Sequence, residues 1–315
     1  MTSLFNKERG SATITALIVV SISTLIISGL MWRQEVQVRQ LEHRRLQQQA
    51  VWIERSAIDL ARVVLREDLR SGGVADFVGE PWSLPLAQSR VAEFFKSTDL
   101  PYEIENMTIR GQLIDAQSRF NLRNLLSNDG QQFNAVGISI YSRLLNLLGL
   151  ETQLANPTAL FLLKNGLAFD HSEQLRSIPG YSEKSIQLLS QYVITLPKAT
   201  PINLNTASIE VLMAISPSIS RDEAEKITLA RVMQPFKSAG EFLKLLESVV
   251  ASPSQMVIDN SQIDVKSQFW LAQSDIELSR SHFLNVTLIQ RTSNLSEKGN
   301  STQVIWTQLS NSIRP

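Results

Sequence analysis

The residues able to do chemistry are few and scattered. His43, His171 and His282 are the only histidines, and no nucleophile motif lies beside them. The chain has no G-x-S-x-G, no P-loop and no H-E-x-x-H. Cysteine is absent, which excludes disulfides, thiol nucleophiles and thiolate metal sites. Asp259, Asn260 and Asp264 offer hard oxygens of the kind calcium takes. Calcium wants about six to eight such ligands, and no spaced loop supplies them. Asp259 and Asp264 therefore stand as calcium candidates against a turn-forming role, and no other cofactor is expected. Nothing here points to an enzyme.

The middle of the chain has the look of helix-hairpin-helix modules, which hold nucleic acid phosphate at a glycine-bearing turn on a helix N-terminus. The segments are 201–212, 224–231 and 235–242. The turn, Ser216-Pro217-Ser218-Ile219-Ser220, has no glycine, and Pro217 removes a donor. Asp222, Glu223 and Glu225 follow and would repel phosphate. The earlier turn at 178–182 has one glycine and only Lys184 nearby. Lys plus Arg equals Asp plus Glu, 30 each, so no general attraction for nucleic acid exists either. No nucleic acid partner is expected.

The N-terminus carries the sharpest signal. A polar stretch with Lys7 and Arg9 ends at Gly10. Residues 11–32 then contain no charge until Arg33, and ~20 apolar residues span a bilayer as one helix. Secretory signals are cut after the apolar core. Here the glycine precedes it, so cleavage between Gly10 and Ser11 would leave the helix on the mature chain. That order matches a prepilin-type leader. An uncut signal anchor is the alternative. Both place the N-terminus in the cytoplasm and the bulk outside it, by the positive-inside bias.

The positioning elements follow from periodicity. No Gly or Pro interrupts 33–69, and Leu46, Ala50, Ile53, Ala57, Leu60 and Val64 recur at steps of four and three. One long helix is expected, its first half in lipid. Met107, Ile109, Gly111 and Leu113 alternate with Thr108, Arg110 and Gln112, as in a strand. About 130 residues, 124–255, read as helical, with candidates at 138–148, 158–164, 185–193, 209–214, 220–233 and 240–250. Alternation returns at Phe269 and Leu271, at Leu284, Val286 and Leu288, and at Ile305, Thr307 and Leu309. Residues 293–301 read as a hairpin loop. The expected class is α+β: a long N-terminal helix on an antiparallel sheet, with a helical domain inserted between strands. The divisions are a leader at 1–10, a transmembrane helix at 11–32, the helix remainder and first strands at 33–123, the helical insert at 124–262, and the last strands at 263–315.

These residues resemble the type II secretion minor pseudopilin K family along nearly the whole chain. Arg9-Gly10-Ser11 looks like its prepilin peptidase site, and Trp32-Arg33-Gln34 like the end of its membrane segment. Asp115-Ala-Gln-Ser-Arg-Phe-Asn-Leu122, Leu175-Arg-Ser-Ile-Pro-Gly180, Ile202-Asn-Leu-Asn-Thr-Ala207 and Pro235-Phe236 look like its internal motifs, in order. The resemblance implies a structural subunit at the tip of a secretion pseudopilus, anchored in the inner membrane of a Gram-negative bacterium. It implies cleavage by prepilin peptidase after Gly10, N-methylation of Ser11, and assembly with minor pseudopilins I and J, then H. Pilins commonly carry Glu at the fifth mature position, where this chain has Thr15. A carboxylate in lipid is costly unless paired, and a tip subunit has no neighbour above to pair it. Two alternatives stay open: a minor tip pilin of a type IV pilus, and a membrane-anchored DNA-uptake protein.

Overall fold

The structure is a computed structural model. It describes residues 9–71, 73–90, 108–166, 172–250, 258–278, 281–292 and 302–313. The chain divides into two units, residues 1–55 and 56–315.

A single 62-residue helix, α1 (Arg9–Arg70), makes the first unit and opens the second. In the first unit its apolar side chains, from Ile14 to Trp52, face outward. Their few polar neighbours turn inward to the backbone. Ser21 donates to Leu17 O at 2.8 Å and Thr24 to Val20 O at 2.7 Å, so neither hydroxyl needs water. By length and composition, Ala12–Leu41 is long and apolar enough to cross a membrane, nine residues further than the charge-free run at 11–32.

In the second unit α1 lies on a sheet. Leu65 is fully buried with Trp82, Trp270 and Ile289, and Ile58, Ala61 and Val64 pack against them. The buried line thus runs through Ile58, Ala61 and Leu65. Leu60, placed on the stripe by its spacing, is 46% exposed. The 3.6-residue period tolerates a stripe shifted by one position, and the tryptophans on the sheet decide the phase.

The sheet has five antiparallel strands in the order β1-β2-β7-β8-β9. These are β1 (Leu86–Arg90), β2 (Thr108–Asp115), β7 (Phe269–Leu278), β8 (Ser281–Arg291) and β9 (Thr302–Ile313). Arg291 pairs with Thr302, so β8 and β9 form the expected hairpin, whose loop lies outside the described residues. Met107 lies outside them too. One end of the sheet is buried on both faces. Trp270 and Ile289 meet α1, while Phe269, Leu271 and Leu288 meet Ala116, Ile194 and Leu196 on the other side. Period-2 alternation puts neighbouring residues on opposite faces, so each face needs its own cover.

Between β2 and β7 comes the helical insert. Its helices are α2 (Ala135–Leu147), α3 (Ala155–Asn165), α4 (Glu183–Leu189), α5 (Ile209–Ile215), α6 (Arg221–Met233) and α7 (Ala239–Val249). Side chains of Asn134, Ser182, Ser208, Ser220 and Ser238 cap five of them by accepting backbone N–H bonds. Two features depart from the expected layout. Residues 185–193 are not all helix: α4 stops at Leu189, and β4 (Val193–Ile194) pairs in parallel with β3 (Phe120–Asn121). Likewise β6 (Ile263–Asp264) pairs with β5 (Ile202–Asn203), inside the insert and not in the main sheet. The main sheet is left just after Asp115, the end of β2, and rejoined at Phe269, the start of β7.

Two glycines serve this packing. A Cβ on Gly137 of α2 would fall 1.8 Å from Asn124 O, which is backbone. Gly180 has φ +105°, where other residues are strained, and a Cβ there would meet Leu154 Cδ2 at 2.6 Å.

Candidate functional site

Where the chain enters and leaves the insert, a buried polar node joins it to the sheet. Asp115 ends β2. Its Oδ1 accepts from Gln117 N at 2.8 Å. Its Oδ2 accepts from Asn203 Nδ2 at 2.8 Å, Thr206 Oγ1 at 2.6 Å and Ser267 Oγ at 2.7 Å. One carboxylate thus ties the entry strand, the centre of the insert and the exit segment together. Burial dominates its titration and pushes it up to about 6, against the lowering effect of those donors.

The other motif residues do similar work. Asn203 Nδ2 also donates to Asp76 O, 3.1 Å. Asn205 clasps Phe236 twice, donating to its O and accepting from its N, both at 2.9 Å. Gln117 donates to Pro201 O at 3.0 Å and accepts from Gln268 N at 2.6 Å. Asn121 donates to Lys198 O at 2.8 Å, and Asn124 to Thr200 O at 2.8 Å. A buried amide or carboxylate is tolerated only when satisfied, and these are. The segments at 115–122, 202–207 and 235–236 are thus parts of one joint.

Beside the node sits a charged cluster that the sequence did not disclose. Arg291, at the end of β8, pairs with both Asp68 and Asp76, and its guanidinium lies 4.1 Å from the Trp270 ring centre. Glu80 accepts from Phe77 N at 2.9 Å and Trp82 Nε1 at 2.7 Å. Carboxylate oxygens of Asp68, Asp76 and Glu80 lie within 4.8 Å of one another, a separation that suits a cation. Arg291 supplies that positive charge. Burial raises Asp68 and Glu80 above the usual carboxylate range. The available signal was a lone arginine closing a strand-like alternation, Leu284, Val286 and Leu288. Its acidic partners lie more than 200 residues away in sequence, beyond any local pattern.

The calcium candidates are not brought together by any shared contact. Asp259 accepts from Ser261 N at 2.8 Å and caps a short 3-10 turn. Asp264 Oδ1 accepts from Val265 N at 2.7 Å. Both act locally, as turn formers do. At the helix-hairpin-helix turn, Ser220 and Glu223 form a reciprocal capping box at the start of α6. The Glu223 carboxylate accepts from Ser220 N at 2.8 Å, which puts negative charge at the start of α6. His171 lies outside the described residues, while His43 is on α1 and His282 on β8.

At the N-terminus, residues 1–8 lie outside the description. Arg9, Gly10 and Ser11 begin α1. Thr15 donates to Ala12 O at 3.0 Å, so its hydroxyl is satisfied within its own helix. Thr15 belongs to the apolar segment of the first unit.

The comparisons agree with this architecture. A family model described as "Type II secretion system (T2SS), protein K" matches residues 202–265, the part of the insert carrying Asn203, Asn205 and Thr206. A type II secretion system protein K of Pseudomonas aeruginosa is 26% identical over 318 residues, covering 90% of this chain and 89% of that one. The Aeromonas hydrophila protein of the same name is 23% identical over 308 residues, covering 85% and 88%. The crystal structure of the GspK-GspI-GspJ complex from enterotoxigenic Escherichia coli matches the fold. Its TM-score is 0.64 and its identity 20%, with 87% of this chain and 100% of that one covered. Long helix, interrupted sheet and node residues accord with these matches: along most of its length the chain is similar to type II secretion system protein K.

Proposed function

We propose that this chain is a tip subunit of the secretion pseudopilus, which starts or caps the filament with minor pseudopilins I and J, and then H. The observation that carries the reading is the bulk of the insert between β2 and β7. A shaft subunit must stack above and below itself, and a domain of that size hinders stacking on one side. Thr15 supports the same placement. Its hydroxyl is bonded at home, so it asks nothing of a subunit above. The apolar span of α1 anchors the chain in the inner membrane, with the remainder periplasmic, after prepilin peptidase cuts between Gly10 and Ser11 and Ser11 is methylated. The role is structural, without catalysis or cofactor. The self-capped start of α6 and the lack of net charge argue against nucleic acid as a partner.

The test is co-purification of the full chain with its own system's pseudopilins I and J in detergent, with mass measured by light scattering. A defined three-component complex is expected. Independent elution at tens of micromolar would overturn the assembly reading. Intact mass should show Ser11 as the first residue in a host with prepilin peptidase, and Gly10→Val should leave the precursor uncut.

A further inference from the structure

The five-stranded sheet has two edges, and they are built differently. β1 is only 5 residues long, follows Pro85 and ends on Arg90. Short length, proline and charge are the usual guards against a stray strand. β9 is 12 residues long, with no proline and no charge. Among the described residues no strand pairs with its outer side. An edge of that kind presents a row of backbone N–H and C=O groups.

The start of β9 is closed to a partner. Arg62 of α1 donates to Thr302 O at 3.1 Å, and Thr302 is buried. Leu288 pairs with Trp306 and Ile289 with Val304, so Ile305 is an extra residue, a bulge that interrupts the edge. Beyond it, 306–313 pairs residue for residue with 288–281, so the stretch is regular. Thr307 and Gln308 are both exposed.

Residue types name the strand that fits. A charged strand would lose its water against an edge that offers no opposite charge. A second β9, laid antiparallel about the midpoint of Leu309 and Ser310, sets Trp306 opposite Ile313, Thr307 opposite Ser312 and Gln308 opposite Asn311. These are aromatic with β-branched, hydroxyl with hydroxyl, and amide with amide, the pairs that support each other across strands. A two-fold axis makes each of them twice, and no charges are opposed.

We infer that residues 306–313 of β9 form a self-complementary edge that joins a second copy of this chain, antiparallel, in one continuous sheet. The inference stands apart from the tip reading, which concerns other chains.

The test is the mass of the full chain in detergent, by sedimentation equilibrium across micromolar concentrations. A monomer–dimer equilibrium is expected. Two variants follow: Gln308→Lys with Asn311→Lys, and Gln308→Glu with Asn311→Glu. Each sets like charges opposite one another at the seam and should dimerise at least about tenfold more weakly. An equimolar mixture of the two should recover a dimer containing one of each. Amide hydrogen exchange in the unaltered chain should show protection at 306–313 that falls on dilution. Circular dichroism checks that the variants keep their strand content, and where they do not, the exchange result decides. A chain that stays monomeric at tens of micromolar overturns the inference. So does a dimer that both variants keep, or one whose exchange at 306–313 ignores dilution, because another surface then holds it. Two folded variants that stay apart when mixed overturn it too. None of these outcomes bears on binding to I and J, which the three-component complex reads separately.

Discussion

The node under the insert and the part of α1 in the first unit, residues 9–55, solve opposite problems. At the node nearly every polar atom has found its partner: Asp115 alone accepts four hydrogen bonds. Along the first unit almost every described apolar side chain faces outward. The node is finished by its own chain, and the helix is finished only by something else. The difference teaches where substitutions should act. Changes at the node should cost stability and leave assembly alone, and changes on the helix should do the reverse.

The largest expected effect is at Arg291. Replacing it with Met leaves Asp68 and Asp76 buried without their cation, and breaking a buried pair in this way costs about 3–5 kcal/mol. Urea unfolding of the full chain in detergent, followed by tryptophan fluorescence, should show it. Adding Asp68→Asn and Asp76→Asn should recover part of the loss. A cost below about 1 kcal/mol would show that the cluster is wetter than its burial implies.

Gly137→Ala comes next. Its Cβ would strike Asn124 O at 1.8 Å, and backbone cannot rotate away. About 3 kcal/mol of destabilisation is expected, the upper end for overpacking. A neutral result would mean that α2 can slide off residue 124.

A smaller effect comes from pH. The folded-state value for Asp115 is about 6, above its ordinary 3.8. The protonated carboxyl therefore favours the folded state. Its contribution is fully present below pH ~4, declines as pH rises to ~6, and stays lost above that. The change is on the order of 3 kcal/mol. Asp68 and Glu80 shift in the same direction and add to the slope. Asp115→Asn should flatten the dependence between pH 4 and 6. An unchanged slope in that variant would locate the titration elsewhere.

The smallest effect belongs to the helix. Thr15→Val removes one hydrogen bond, to Ala12 O, in the first unit. The urea midpoint of the second unit should stay within about 0.5 kcal/mol. A larger shift would break the contrast between the two regions.

The sequence disclosed whatever was local. The helices at 209–214 and 220–233 were legible, because the capping that starts them, by Ser208 and Ser220, acts over three residues. The alternation in 108–113 announced β2, where Ile109 is buried and Arg110 and Gln112 are exposed. Pairs such as Phe120–Asn121 with Val193–Ile194 were not legible, since two residues carry no period. The motif residues were visible as motifs, but their joining role was not. Asp115 meets Asn203 and Ser267 only once the insert has folded back, and no window along the chain contains all three.

The placement of the insert also sets an order in time. β2 and β7 are neighbours in the sheet, yet roughly 150 residues separate their ends. Bringing the ends of an unstructured loop that long together costs roughly 4 kcal/mol in chain entropy. A folded insert removes most of that cost, because its entry and exit are already held together at Asp115 and Ser267. The chain leaves the ribosome with α1 first and β7, β8 and β9 last. The sheet can close only after the insert exists, so the insert acts as the splint on which the pilin-like part is completed.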